Sequence, residues 1–176
     1  PSMDILISSN LERLLALMEG AGNSVSGYMN ELAAHGKYTV RPETAQKIAA
    51  EFACGFCDDK GTKQTIAKLF SKKNYLLDTH TAVAWNVAES YRETSGAKNP
   101  LVVVSTASPF KFCQSVLEAL GETEFAAGTD IIAQLAKKTG KTAPAPLAGL
   151  AGKAVRFTGV TGKDEMEGKV TEFLRA

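Results

Sequence analysis

Leu101-Val102-Val103-Val104 is the stretch on which the fold reading turns. It is an unbroken apolar run, opened by Asn99-Pro100 and closed by Ser105-Thr106-Ala107-Ser108-Pro109. A β-branched run with no polar alternation fits a strand buried on both faces of a parallel sheet. Working outward, shorter strand candidates lie at residues 5–7, 38–40, 52–56 and 154–157. Helical patterns separate them, so the chain reads as α/β, with helices packed on a short, mostly parallel sheet. These strands are few for so many helices, and the sheet is expected to draw on strands from elsewhere.

The helices carry local signals. Ser9-Asn10-Leu11-Glu12 reads as a capping box ahead of Leu11, Leu14, Leu15 and Met18, with Gly20-Ala21-Gly22 as the stop. Asn23 opens a second helix with Val25, Tyr28, Met29 and Leu32 on one face, ending at Gly36. Pro42 suits the first turn of a third, whose apolar face is Ala45, Ile48, Ala49 and Phe52. Ile66, Leu69 and Phe70 mark a fourth. Asp78 or Thr79 then caps a long helix through Ala82, Trp85 and Tyr91, closed by Gly96. Further helices run through Val116 to Leu120, from Asp130 to Lys138, near Leu147 to Leu150 and from Asp164 to Leu174. No repeat or low-complexity tract appears, and residues 1–176 read as a single unit.

Composition narrows the function classes. Lys plus Arg is 20 against 19 for Asp plus Glu, and no basic stripe marks a nucleic-acid surface. No apolar run approaches the ~20 residues needed to span a bilayer, so no membrane role is expected. Three scattered cysteines do not form a secreted disulfide framework, which favours a reducing cytoplasm. Pro1-Ser2-Met3-Asp4 is neither a signal peptide nor a basic transit segment. A start without methionine fits both initiator removal and a stretch of a larger protein.

Several motifs invite chemistry. Cys54-Gly55-Phe56-Cys57 is a CxxC, but Cys113, His35 and His80 supply no paired spacing for a structural zinc, so no metal is expected. Gly149-Leu150-Ala151-Gly152-Lys153-Ala154 has glycines too close for a phosphate loop and an alanine where magnesium needs a hydroxyl. His80 stands at a helix start, where a capping or structural role outweighs that of a general base. The stretch from Ser105 to Phe112 is the most informative. Its hydroxyls sit at the carboxyl end of the expected strand, where open α/β sheets bind ligands. Ser108-Pro109 is explained by a helix start; Ser105, Thr106 and Lys111 are not.

Three segments carry a family resemblance. Residues Pro1 to Leu15, Tyr75-Leu76-Leu77-Asp78-Thr79-His80-Thr81-Ala82-Val83-Ala84 and Val104-Ser105-Thr106-Ala107-Ser108-Pro109-Phe110-Lys111-Phe112 resemble signature segments of threonine synthase, in the family's order. After Gly121 the likeness is only in helical character, and Thr79 stands where the family usually carries proline. The resemblance implies the C-terminal part of a pyridoxal-phosphate enzyme of the tryptophan-synthase-β-like fold, fold type II. Such enzymes convert O-phospho-L-homoserine and water to L-threonine and phosphate.

The resemblance also implies that the Schiff-base lysine and the Gly/Asn-rich loop for the cofactor phosphate lie upstream. No lysine here matches the family's lysine motif, so this chain alone is expected to be inactive. By the same resemblance, a hydroxyl meets the cofactor's pyridine nitrogen. Thr106 is the matching position and Ser105 the near alternative. For an anionic substrate, Ser8, Ser9, Asn10 and Arg13 at a helix start are candidate contacts, as is Lys111. Asp4 and His80 are assigned supporting places behind the site. Two alternatives stand: a threonine synthase-like phospho-lyase, and a stand-alone binding module. An incomplete sheet is further expected to promote self-association.

Overall fold

The computed structural model describes residues 7–20 and 22–175, with the side chains of Gly22 and Asn23 excepted. Within them the only regular secondary structure is helical. In order come α1 (Ser9–Glu19), α2 (Gly22–His35), α3 (Pro42–Glu51), α4 (Asp59–Lys73), α5 (Thr79–Ser95), α6 (Cys113–Ala119), α7 (Asp130–Thr139), α8 (Ala145–Ala148) and α9 (Met166–Arg175). Short 3-10 turns precede α6 at Pro109–Lys111 and α9 at Lys163–Glu165.

The α/β expectation is overturned, because the described residues contain no strand and no sheet. Residues 101–104 form no ladder, and Leu101, Val102 and Val104 are exposed, Val102 by 88%. Residues 38–40, 52–56 and 154–157 are also irregular, and residues 5 and 6 lie outside the described set. The physical reason is that a strand is defined by a partner. Apolar, β-branched character supplies propensity, but ladder hydrogen bonds need a second segment alongside. No described segment takes that place beside residues 101–104.

The helix boundaries follow local chemistry more closely. Gly20, Gly96 and Gly140 adopt left-handed φ values of 69°, 67° and 66° and close α1, α5 and α7, where a β-carbon is disfavoured. Asp58 caps α4 by accepting from the Gly61 N–H at 2.7 Å. The cap of α1 is Ser8, which accepts from the Leu11 N–H, one residue before the expected Ser9. Of the apolar face expected for α3, Ala45, Ala49 and the C-cap Phe52 are exposed, while Thr44 and Ile48 face inward.

Two apolar clusters hold the helices. Ile66, Leu69, Leu77, Ala82, Phe110, Cys113, Val116, Leu117 and Leu135 join α4 through α7 around the loop that precedes α6. Leu15, Val25 and Tyr28 join α1, α2 and α3, with Ile48 packed against them. Beside this second cluster, the fully covered Glu19 carboxylate accepts from the Tyr28 hydroxyl at 2.6 Å, Arg41 at 2.6 Å and the Thr44 hydroxyl at 3.0 Å. The Arg41 guanidinium, followed by the Tyr28 hydroxyl, holds the Glu19 carboxyl down at about 2.

A folded-state pKa below the unfolded one contributes stability above the unfolded value and loses it as pH falls. The contribution of Glu19 is therefore expected to be complete above its ordinary value of 4.5 and to vanish as pH drops through about 2. Thermal melts of the Glu19→Gln variant across that window should show a shallower acid dependence than the parent chain.

Candidate functional site

The site candidates meet where the start of α5 faces the loop between α5 and α6. Asp78 makes that junction. Its Oδ1 accepts from the backbone N–H of His80 at 2.9 Å and of Thr81 at 3.2 Å. This satisfies two of the donors that a helix start leaves open. Its Oδ2 accepts from the Thr81 hydroxyl. The Asp78 side chain is fully covered. Thr81 is buried as well, and its Oγ1 lies 3.2 Å from Ser105 Oγ. A capping interaction of α5 thus reaches across 24 residues to the hydroxyl loop.

The loop is fixed from its other end too. Ser108 Oγ accepts from the Phe110 N–H at 3.3 Å, and Pro109 occupies the first position of the 3-10 turn. This is the helix-start role expected of Ser108-Pro109. Phe110 is buried in the core formed by α4, α5, α6 and α7. Phe112 stacks against the His80 ring at 5.0 Å and a 55° tilt. His80 Nδ1 lies 3.5 Å from Asp78 Oδ1 and 3.4 Å from Thr79 Oγ1. The imidazole is thus held between the cap and the loop.

Between these anchors Ser105 and Thr106 are exposed. Thr106 is exposed and has no hydrogen-bond partner among the described residues. The donor set is neutral and small. A hydroxyl can meet an aromatic ring nitrogen without forcing a proton onto it, as a carboxylate would. On this ground the loop fits the nitrogen edge of a pyridine-type cofactor.

The other candidates fall elsewhere. Lys111 is exposed and lines a groove of about 450 Å³ with Phe112, Gln114, Thr129 and Ile132. Ser8, Ser9, Asn10 and Arg13 lie at the start of α1, within the α1–α3 group. Arg13 donates to Asn10 Oδ1, one turn away on the same helix. Asp4 lies outside the described residues. Cys54 and Cys57 are free thiols in a segment with no turn or bend, and Cys113 is buried, which pushes its thiol up. Among the described residues no group of three or more His, Cys, Asp or Glu gathers as a metal cage.

Thr81 is the residue that sequence reading missed. It stood in the quoted segment around Asp78, three positions after the cap, where a side chain can return to the capping group. That spacing was the available signal. Its bond to Ser105 had none.

Comparisons with known proteins agree on one family. A family described as "Threonine synthase, C-terminal" matches residues 81–170, just over half of the chain. Threonine synthase from Pseudomonas aeruginosa is 35% identical over 120 residues, 68% of this chain and 25% of that protein. Threonine synthase from Saccharomyces cerevisiae is 33% identical over 154 residues, 78% of this chain and 30% of that protein. The chain therefore spans a third or less of the length of these relatives. Among solved structures, yeast threonine synthase superimposes on 99% of this chain and 36% of its own, with a TM-score of 0.78 and 27% identity. PLP-bound threonine synthase from Brucella melitensis covers 76% of this chain and 29% of its own, with a TM-score of 0.62 and 37% identity.

The Asp78 junction makes a direct prediction. Asp78→Ala removes a side-chain cap and should cost about 1–2 kcal/mol of stability. Chemical denaturation measures it, and Asp78→Asn, which keeps an acceptor oxygen, should lose less.

Proposed function

The chain belongs to the threonine synthase family, and on that premise we propose that residues 1–176 are one C-terminal portion of a pyridoxal-phosphate-dependent threonine synthase. The reaction is conversion of O-phospho-L-homoserine and water to L-threonine and phosphate. The observation that carries this reading is the family match over residues 81–170, which contains Thr81, Ser105, Thr106 and Lys111 in one stretch. The Brucella threonine synthase has PLP bound, and the neutral, exposed hydroxyl of Thr106 suits the ring nitrogen of that cofactor.

When bound, the cofactor supplies an electron sink for the carbon skeleton of the substrate. This chain's part is narrower. Thr106 holds the ring nitrogen, with Ser105 beside it. His80, packed on Phe112, and Asp78 keep the loop in place behind them. Lys111, and Ser8, Ser9, Asn10 and Arg13 at the start of α1, are offered as contacts for the anionic substrate. The cofactor-binding lysine and the cradle for its phosphate are assigned to a preceding part of the enzyme. A reducing compartment such as the cytoplasm fits the three free cysteines. No described helix is long and apolar enough to cross a membrane.

Phosphate release tests the reading. The 176-residue chain with pyridoxal phosphate and O-phospho-L-homoserine should release none. The full-length enzyme should release phosphate together with L-threonine. Release of phosphate with 2-oxobutanoate and ammonia would instead place the protein with the phospho-lyases. Thr106→Val in the full-length enzyme should change the cofactor absorption spectrum and lower kcat by roughly tenfold, the scale of one neutral hydrogen bond.

The isolated chain also exposes Val102, Val104, Phe157, Val160, Phe173 and Leu174. Light scattering should find it self-associated, and a well-behaved monomer would contradict that and favour a self-contained binding module.

A further inference from the structure

We propose that Thr81, backed by Asp78, is a positioning residue that sets the direction of the Ser105 hydroxyl proton and leaves Thr106 as the hydroxyl that donates to the cofactor. The inference rests on the reading above, in which this loop meets the ring nitrogen, and it decides between the two hydroxyls.

A threonine or serine hydroxyl has a single proton to donate and lone pairs with which to accept. A carboxylate can only accept. Asp78 Oδ1 is occupied by the N–H groups of His80 and Thr81. Asp78 Oδ2 takes the Thr81 hydroxyl in the shorter of the two contacts that hydroxyl makes. Thr81 has then no second proton for Ser105. The 3.2 Å separation between Thr81 Oγ1 and Ser105 Oγ is a hydrogen bond only if Ser105 donates. The chain runs one way, from Ser105 to Thr81 to Asp78.

Burial makes that direction firm. Asp78 and Thr81 are 1% and 3% exposed, so water does not compete for the carboxylate oxygen or for the Thr81 proton. Reversing the chain would turn a hydroxyl proton away from a buried carboxylate oxygen, which is costly. Ser105, exposed at the other end, is left presenting lone pairs on its open side. It is an acceptor there. A hydroxyl that donates to an unprotonated ring nitrogen must come from its neighbour Thr106, whose proton no described residue takes.

The inference separates two kinds of residue by their coupling. If Ser105 acts only through Thr81, then Thr81→Val and Ser105→Ala both break the link between them, the first also taking a donor from Asp78, a loss that the melts register. In the full-length protein loaded with pyridoxal phosphate, each should weaken cofactor binding and shift its absorption maximum to a similar extent. The affinity loss should be about threefold to tenfold, the range of a single neutral hydrogen bond. The double variant should lose no more than either single one, because the two effects share one interaction. Thr81→Ser keeps the hydroxyl and should restore both the spectrum and the affinity. Thermal melts of all variants show whether each remains folded, and the Thr81→Ser variant carries the test if Thr81→Val does not.

Additive losses would overturn the proposal. So would a Ser105→Ala effect on the spectrum far larger than that of Thr81→Val, because Ser105 would then touch the cofactor itself. A Thr81→Ser spectrum that departs from the parent's would also overturn it. Failure of the parent full-length protein to bind pyridoxal phosphate is a different result, and it removes the functional reading itself.

Discussion

The buried carboxylate of Asp78 is the constraint on which the arrangement of the site depends. A helix start leaves backbone N–H groups without partners, and Asp78 fills two of them at α5. A carboxylate this deeply covered must have its oxygens satisfied. The second oxygen is met by Thr81, and Thr81 reaches Ser105. The need to cap one helix and the need to satisfy one buried charge are thereby solved by the same three side chains. Their common consequence is that the loop carrying Thr106 is tied to the start of α5.

Packing supplies the rest of the rigidity. Phe110 and Cys113 lock the far end of the loop into a core shared by α4, α5, α6 and α7. A site residue performs best when its supports are themselves locked. Thr106 stands between two such supports and has no hydrogen-bond partner among the described residues. Glu19 plays a comparable organising part among α1, α2 and α3, where Arg41, Tyr28 and Thr44 converge on one carboxylate. In both clusters a covered acid with several donors does what an apolar contact cannot, since it fixes direction as well as proximity.

What the sequence made legible was whatever chemistry is local. The ends of α1 and α5 follow from Gly20 and Gly96, and Ser108-Pro109 opens its turn as the residue types require. The cap of α1 was misplaced by one residue, because Ser8 and Ser9 are chemically equivalent and only backbone geometry distinguishes them. The sheet was illegible for a deeper reason. Residues 101–104 have the composition of a buried strand, yet pairing depends on a segment that composition does not name. For the site, Thr106 and Ser105 were singled out by resemblance alone. Thr81 was passed over because its importance lies in a contact 24 residues away.

The most direct measurement is a crystal structure of the full-length protein with pyridoxal phosphate bound. The account predicts Thr106 Oγ1 within hydrogen-bond distance of the ring nitrogen, with Ser105 Oγ still bonded to Thr81. A ring nitrogen facing Ser105, or one facing neither hydroxyl, would contradict it.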